Sequence, residues 1–330
     1  MKLKTTKLTI ILFLPLVLLG FGMVLSVSLG AKSIPIPLVL DSLFDYRDTL
    51  EMQLVRNIRL PRALAALLTG GLLGTAGAMM QGVTRNPVAE PSLLGISQGA
   101  TLAIAILYAS QTVVGLTGNM VAAFVGAFFS GLFVIAFSLR DPSHLSMGKL
   151  LLAGTAFSTF FLSIASVLAL LTNQSQMLGF WVSGGFRNVS WSGVNLLGVI
   201  GVFSMVFALF LASKINVINL GDDVATGFGV NAVRIRLSIL LLIIQMTAAT
   251  VAVGRNIAFV GLIIPQIVIR FVGSDYRKII PLSFLLGAVL LVFSDLAARM
   301  LLSPYETPIG IFTSLIGVPF FLYLVRKERA

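Results

Sequence analysis

Ten apolar runs, each close to the length that crosses a lipid bilayer, constrain this chain more than any other feature of its sequence. A membrane-spanning α-helix needs about 20 mostly apolar residues, and an open sheet cannot satisfy its backbone in lipid. The sequence therefore predicts an all-α integral membrane protein. We expect spans at about residues 8–30, 61–82, 92–109, 119–138, 147–171, 191–212, 234–253, 257–272, 279–302 and 310–326.

The composition argues against a soluble domain. Of the 330 residues, 57% are hydrophobic and only 11% are charged, whereas a soluble domain carries about 25% charged residues. A large soluble α-domain would have to bury every apolar run in one core. No long polar segment divides the runs, so we expect a single transmembrane domain over residues 1–330.

The distribution of positive charge predicts the orientation. Lys2, Lys4 and Lys7 precede a long apolar run without a clear cleavage site, which favours a retained signal-anchor helix. With the N-terminus inside, 15 of the 23 Lys and Arg residues fall on the inner side. Cytoplasmic loops carry such an excess. We therefore expect both termini in the cytoplasm of a prokaryote and a multi-pass protein of its cytoplasmic membrane. The same bias explains the net charge of +11 without nucleic acid as a partner.

Three arginines on the predicted outer side oppose this bias. Arg56, Arg59 and Arg62 are spaced by three residues, which would place them on one face of a helix. They could reach lipid phosphates, or they could form a docking patch for acidic groups of an extracytoplasmic partner. The spacing alone leaves both interpretations open.

No residue set in the sequence resembles a catalytic, metal or nucleotide site. The chain has no cysteine and one histidine, His144, which rules out thiolate chemistry and disfavours a metal cluster. The one Gly-Lys pair, Gly148-Lys149, lacks a glycine-rich phosphate loop. We therefore expect a chain that is not an enzyme and binds no cofactor, and any ATPase would be a separate polypeptide.

Ionisable residues are scarce within the predicted spans. Asp295 is the most prominent one, and Arg299 lies four residues later, a spacing that suits an ion pair on one helix face. Ion-coupled transporters usually place carboxylates near the bilayer centre, and the sequence predicts none there. This disfavours a secondary transporter or channel, which remains the alternative from another class.

Two glycine patterns predict packing and turns. Gly70, Gly74 and Gly77 recur at helical spacing, which lets helix backbones approach closely in lipid. The eighth span, residues 257–272, contains Pro265, which removes a backbone donor and bends a helix. Such a span is tolerated only where protein or a cavity satisfies the freed backbone.

The inner loop at about residues 213–233 predicts a compact knob on the cytoplasmic face. Asp222 and Asp223 follow Gly221 and precede a short helical stretch, and carboxylates suit the positive end of a helix. Gly227 and Gly229 then break the chain again. The knob is either an ordinary loop or an element that couples the chain to a cytosolic motor.

Several ordered motifs resemble one family over essentially the whole chain. They are RLPRALAALLTGGLLGTAGAMMQGVTRNPVAEPSLLGISQGA at residues 59–100, KLLLAGTAFS at 149–158, NLGDDVATGFGVN at 219–231, GRNIAFVGLIIPQIVIRFVG at 254–273, and SDLAARMLL with ETPIGIFTSLIGVP within 294–319. This series is similar to the permease subunits of ABC importers for iron-siderophores, haem and cobalamin, which are type II importers.

The resemblance implies a ten-helix permease fold and a set of partners. These are a second permease, identical or paralogous, two cytosolic ATPases that bind ATP and Mg, and an extracytoplasmic substrate-binding protein. Ferric siderophore, including the hydroxamate type, is the first expected substrate, and haem or cobalamin is the alternative.

The resemblance also assigns roles to particular residues. It implies docking of the binding protein at the outer arginines, coupling to the ATPases at the inner knob, and a cytoplasmic gate at the loop after the second span and the start of the fifth. The docking residues are Arg56, Arg59, Arg62 and Arg299; the coupling residues are Gly221, Asp222, Asp223, Ala225, Gly227 and Gly229; the gate residues are Asn86, Pro87, Val88, Met147 and Gly148. Met147 departs from the small polar residue usual at its position.

Overall fold

The chain folds into a bundle of α-helices. The structure is a computed structural model that describes residues 2–112, 114–138, 147–229, 231–303 and 305–328, and His144 lies outside them. The described residues form helices and turns and no strand. The helices are α1 (Lys2–Ser28), α2 (Ile36–Phe44), α3 (Leu50–Leu54), α4 (Leu60–Thr84), α5 (Ile96–Ala109), α6 (Leu116–Ser138), α7 (Met147–Leu171), α8 (Ser175–Val182), α9 (Trp191–Asn219), α10 (Asp222–Gly227), α11 (Ala232–Gly254), α12 (Val260–Val272), α13 (Tyr276–Met300) and α14 (Ile309–Glu328).

Each predicted span corresponds to one helix, so the all-α membrane architecture is confirmed. Six helical stretches of the described chain are long and apolar enough to cross a membrane, namely Leu50–Thr84, Leu116–Ser138, Gly148–Leu171, Trp191–Asn219, Ala232–Gly254 and Tyr276–Met300. Four shorter apolar helices are Phe13–Ser28, Ile96–Ala109, Val260–Val272 and Ile309–Leu324. Ten is therefore an approximate number of spans.

Helix α4 lies at the centre of the bundle and packs against α9, α11, α12 and α13. Its glycines allow this packing. A Cβ atom added to Gly70 would overlap the carbonyl oxygen of Gly287, and one added to Gly77 would overlap that of Gly261. Gly74 is held in the same way against Ser283. The small-residue face predicted from the sequence thus brings α4 into backbone contact with α12 and α13.

Helix α12 is short and contains Pro265, and α4 compensates for the missing donor. Proline cannot donate to the carbonyl four residues earlier, which here belongs to Gly261. The Gln81 side chain donates Nε2–H to the carbonyls of Gly261 and Leu262 at 3.3 and 3.0 Å. Gln266 in turn donates to Gln81 Oε1 at 2.8 Å. The freed backbone is therefore satisfied by protein, as expected for a broken span.

Three short helices lie outside the predicted spans and the predicted knob. Helices α2 and α3 lie between the first two spans, and a π-helical turn, Val55–Arg59, joins α3 to α4 without a break. Helix α8 lies between the fifth and sixth spans. Each has nine residues or fewer, too short to give a transmembrane signal.

Candidate functional site

A cluster of charged side chains ties together one end of the bundle. Arg62 on α4 donates to Asp295 of α13 through Nε at 3.1 Å and Nη2 at 2.9 Å, and to Glu306 Oε1 through Nη1 at 2.6 Å. Arg299 forms an ion pair with Asp295 at 3.1 Å, which confirms the pair predicted from their spacing. We call Arg62, Asp295, Arg299 and Glu306 the arginine cluster.

The arginine cluster is largely closed to solvent. Asp295 is fully buried, and Arg62 and Arg299 are each only 9% exposed. Arg299 also donates Nη2–H to Ser26 Oγ at 2.8 Å. Burial raises the pKa of Glu306, but the hydrogen bond and charge of Arg62 more than offset this and hold that pKa below its ordinary value. The cluster therefore joins α4, α13 and the α13–α14 connection through ion pairs, and Arg299 adds a hydrogen bond to α1.

Arg59 has its hydrogen-bond partners outside this cluster. It is 6% exposed, and its guanidinium donates to the carbonyls of Val27 and Ser28 at 2.9 and 2.8 Å, and to that of Lys32. That Arg56, Arg59 and Arg62 share one helix face stays a prediction. Arg56 and Arg59 belong to the π-helical turn, which has a wider repeat than the α-helix that contains Arg62.

Arg56 is the most accessible of the four predicted docking residues. It is partly exposed, and its guanidinium lies 4.5 Å from the centre of the Tyr46 ring. Trp191 Nε1–H donates to its backbone carbonyl at 3.0 Å. Docking at Arg56, Arg59, Arg62 and Arg299 stays a prediction, but three of these side chains are already bound within the chain.

The predicted knob forms as helix α10, bounded by two glycine turns. Gly221 has φ 131° and Gly229 has φ 72°, conformations that glycine adopts readily. Asp222 and Asp223 occupy the first turn of α10, and Ala225 is buried. Gly227 is its last residue. The helix between two turns predicted from the sequence is therefore present.

Asp222 holds this knob to two other helices. Its carboxylate accepts from Arg236 Nη1 and Nη2 of α11 at 2.8 and 2.7 Å. It also accepts from Arg85 at the end of α4. The hydrogen bonds from Arg236 hold the pKa of Asp222 below its ordinary value, and the hydrogen bond from Arg85 acts in the same direction. Asp222 and Asp223 are both exposed.

The loop Asn86–Val88, predicted as a gate, forms a tight turn after α4. Asn86 Oδ1 accepts from the Val88 backbone N–H at 3.0 Å, and the Asn86 carbonyl accepts from Ala89 at 3.2 Å. Met147 starts α7, with its side chain outside the described part of the chain, and Gly148 is exposed. The contact between α7 and this region lies further along, where Gly154 packs against the carbonyl of Leu93.

Glu90 is a residue that the sequence did not single out. The chain after the gate loop folds back and brings the Glu90 carboxylate to the start of α12. Glu90 Oε1 accepts from the Phe259 backbone N–H at 2.7 Å, next to a cavity of about 10 Å³ that also touches Thr247, Thr250 and Arg255. The adjoining NPVAEP motif places a carboxylate between two prolines, which was the available signal.

This fold and its charged ends define a multi-pass membrane protein. Charged contacts lie at the ends of a helical bundle whose centre is packed through glycines. A family model described as the FecCD transport family matches residues 18–327, and the chain belongs to that family. It is thus a non-catalytic permease subunit of an ABC importer, and separate ATPases hydrolyse ATP.

Similar proteins support this assignment over the full length. The iron(3+)-hydroxamate import system permease protein FhuB of Bacillus subtilis is 43% identical, over 99% of this chain and 85% of its own. The Fe(3+)-citrate import system permease protein YfmD of the same organism is 35% identical, over 99% and 98%. A solved structure described as an inward-facing ABC transporter classed as metal-chelate type matches with a TM-score of 0.84 and 28% identity, over 96% of this chain and 99% of that one.

Proposed function

We propose that this chain is the permease of an importer for a ferric siderophore of the hydroxamate type. The observation that carries the proposal is the 43% identity, over nearly the whole chain, to a permease named for iron(3+)-hydroxamate import. In this proposal the ferric chelate is cargo. The permease forms part of its path and changes no covalent bond.

The proposed assembly contains a second permease, two ATPases that bind ATP and Mg, and a substrate-binding protein outside. The exposed face of α7 supports a protein or aqueous neighbour. Thr155, Thr159, Ser163 and Ser166 form a row of exposed hydroxyls on this helix, each bonded to a carbonyl of its own helix. Ser and Thr are enriched where transmembrane helices meet. We therefore place the second permease and the path at this face.

The proposed cycle uses the two ends of the bundle differently. The loaded binding protein docks at the outer end, where arginine charge steers and registers it. ATP closes the motors beneath α10, and movement of α10 changes the gate loop. Both termini lie in the cytoplasm in this arrangement, and the specificity for the chelate lies mainly in the binding protein.

Reconstitution tests this proposal. The chain, its second permease, the ATPases and the binding protein would be placed in proteoliposomes and supplied with iron-labelled ferric hydroxamate, ferric citrate or haem. We expect ATP-dependent uptake of the hydroxamate in preference to the other two. Preferred uptake of haem or citrate would overturn the substrate assignment alone. Uptake by this chain under an ion gradient, without ATPases or binding protein, would overturn the whole proposal in favour of a secondary transporter.

A further inference from the structure

Arg85 occupies a special position at the end of the central helix. It terminates α4 in the left-handed conformation, with φ 53° and ψ 34°. This conformation is uncommon for residues other than glycine. The next residue, Asn86, begins the proposed gate loop. Any force on the Arg85 side chain therefore acts directly on the point where α4 becomes the gate loop.

The Arg85 side chain crosses from α4 to the proposed coupling element. Its Nε donates to the carbonyl of Ile218, near the end of α9, at 3.0 Å. Its Nη2 donates to Ile218 and to Asp222. Asp222 is the first residue of α10. The guanidinium thus donates hydrogen bonds both to the segment that leads into α10 and to α10 itself. The single ammonium group of a lysine could not do this in the same geometry.

The gate loop has a second attachment at its other side. Glu90, two residues beyond Val88, accepts the backbone N–H of Phe259 at the start of α12. The loop is therefore held between a cytoplasmic ion pair at Arg85 and a contact inside the bundle at Glu90. When α10 moves relative to α12, the chain between these two attachments must change shape.

We infer that Arg85 transmits the movement of α10 to the gate loop, as a positioning residue for transport. The inference rests on the proposed function, because it assumes that ATPases move α10. Arg236 holds the other side of the same carboxylate but belongs to α11, so it fixes α10 without reaching the gate loop. Loss of Arg85 should leave ATP hydrolysis in place while separating it from transport.

The experiment compares Arg85→Gln with Arg234→Gln in the complete reconstituted importer. Arg234 is an exposed arginine near the start of α11, so its removal controls for the loss of one positive charge. The readout is the amount of chelate imported per ATP hydrolysed. We expect this ratio to fall about tenfold in Arg85→Gln, within the usual range of coupling between sites, and to stay within about twofold of the wild type in Arg234→Gln.

A second readout measures the distance between the gate loop and α10. The chain contains no cysteine, so spin labels can be placed only at Val88→Cys and Thr226→Cys. With Arg85 present, the distance distribution between the labels should be narrow with and without ATP. With Arg85→Gln it should broaden. If Arg85 only stabilised the fold, its loss would lower assembly, uptake and ATP hydrolysis together. The amount of chelate imported per ATP hydrolysed would then stay unchanged.

The outcomes separate the two proposals. A wild-type complex without ATP-driven uptake would overturn the proposed function and this inference together. Normal wild-type uptake, with an unchanged ratio and an unchanged label distribution in Arg85→Gln, would overturn this inference alone. If Arg85→Gln fails to assemble, Arg85→Lys replaces it. Lysine keeps the positive charge but cannot donate to Ile218 and Asp222 together. A reduced amount of chelate imported per ATP therefore supports the inference, and a wild-type amount contradicts it.

Discussion

The buried charges of the arginine cluster are stabilised by residues that lie far apart in the sequence. Arg62 and Asp295 are separated by 233 positions, and both are removed from solvent. A buried ion pair offsets its desolvation only while both partners are present. Substitutions in this cluster therefore test the fold before they test docking.

We predict that Arg62→Ala destabilises the protein by roughly 3 kcal/mol or more, because it leaves the Asp295 carboxylate buried beside Arg299 alone. Thermal unfolding of the purified protein would measure this. Arg47→Ala is the matched control, since Arg47 pairs with Asp45 on the exposed surface, and its unfolding temperature should equal that of the wild type. A wild-type unfolding temperature for Arg62→Ala would show that the cluster adds nothing to stability.

Two substitutions of Glu90 test the contribution of its hydrogen bond to stability. Glu90→Gln keeps an oxygen that can accept the Phe259 N–H, whereas Glu90→Leu leaves that donor without a partner. We expect Leu to cost about 1–3 kcal/mol relative to Gln, read from the unfolding temperatures of the two variants. Equal unfolding temperatures would mean that the hydrogen bond to α12 contributes nothing.

Local spacing predicted some of these contacts and could not predict others. The Asp295–Arg299 pair follows from four-residue spacing along one helix. The contacts of Arg62 with Glu306 and of Glu90 with Phe259 depend on how distant helices pack, which no single stretch of sequence encodes. Arg59 lies in a π-helical turn, and the sequence VRNIR carries no clear signal for one.

At the scale of the elements, hydrophobic runs located the helices of the predicted spans but misjudged their ends. Helix α9 continues to Asn219 rather than stopping at about residue 212, because Asn216 near its end pairs with Asp275 at 2.8 Å and with the Tyr276 N–H at 2.9 Å. Helix α5 begins at Ile96 because Pro91–Leu94 forms a 3₁₀ turn before it. Local contacts of this kind shift the first or last residue of a helix. The hydropathy of the sequence does not reveal that shift.

The glycine contacts of α4 give a prediction at this scale. Gly77→Ala should lower the unfolding temperature strongly, at a cost of about 1–3 kcal/mol or more, because the added methyl would overlap the Gly261 backbone. Gly198→Ala in α9 is the control, since an added Cβ there meets no atom within 4 Å among the described residues. Equal effects of the two substitutions would show that close backbone approach does not determine the packing of α4.

At the scale of the whole molecule, the outer surface should recognise a partner by charge. Arg56→Glu should weaken association with the binding protein about tenfold at low salt, mainly through a slower on-rate. The measurement is binding kinetics at several salt concentrations. Arg47→Glu serves as the control, because it reverses another exposed arginine. An unchanged on-rate for Arg56→Glu would remove this residue from the docking surface.

The hydroxyl face of α7 predicts which side of the molecule meets water or protein. Thr159→Cys, near the middle of α7, should react with a membrane-impermeant thiol reagent or cross-link to the neighbouring permease. Val206→Cys, on the exposed apolar side of α9, should do neither, because we expect lipid to cover it. Reaction at Val206 but not at Thr159 would reverse the assignment of the two faces.

Backbone contact along α4 limits how the molecule can change shape. Where carbonyls of α12 and α13 rest directly on glycines, no layer of side chains is available to deform, and sliding by even one residue would bring a larger residue into collision. These three helices should therefore travel as a rigid frame through every stage of import. Any rearrangement must then occur in the surrounding helices, which have fewer contacts with that frame. The protein is thereby divided into stationary and moving parts.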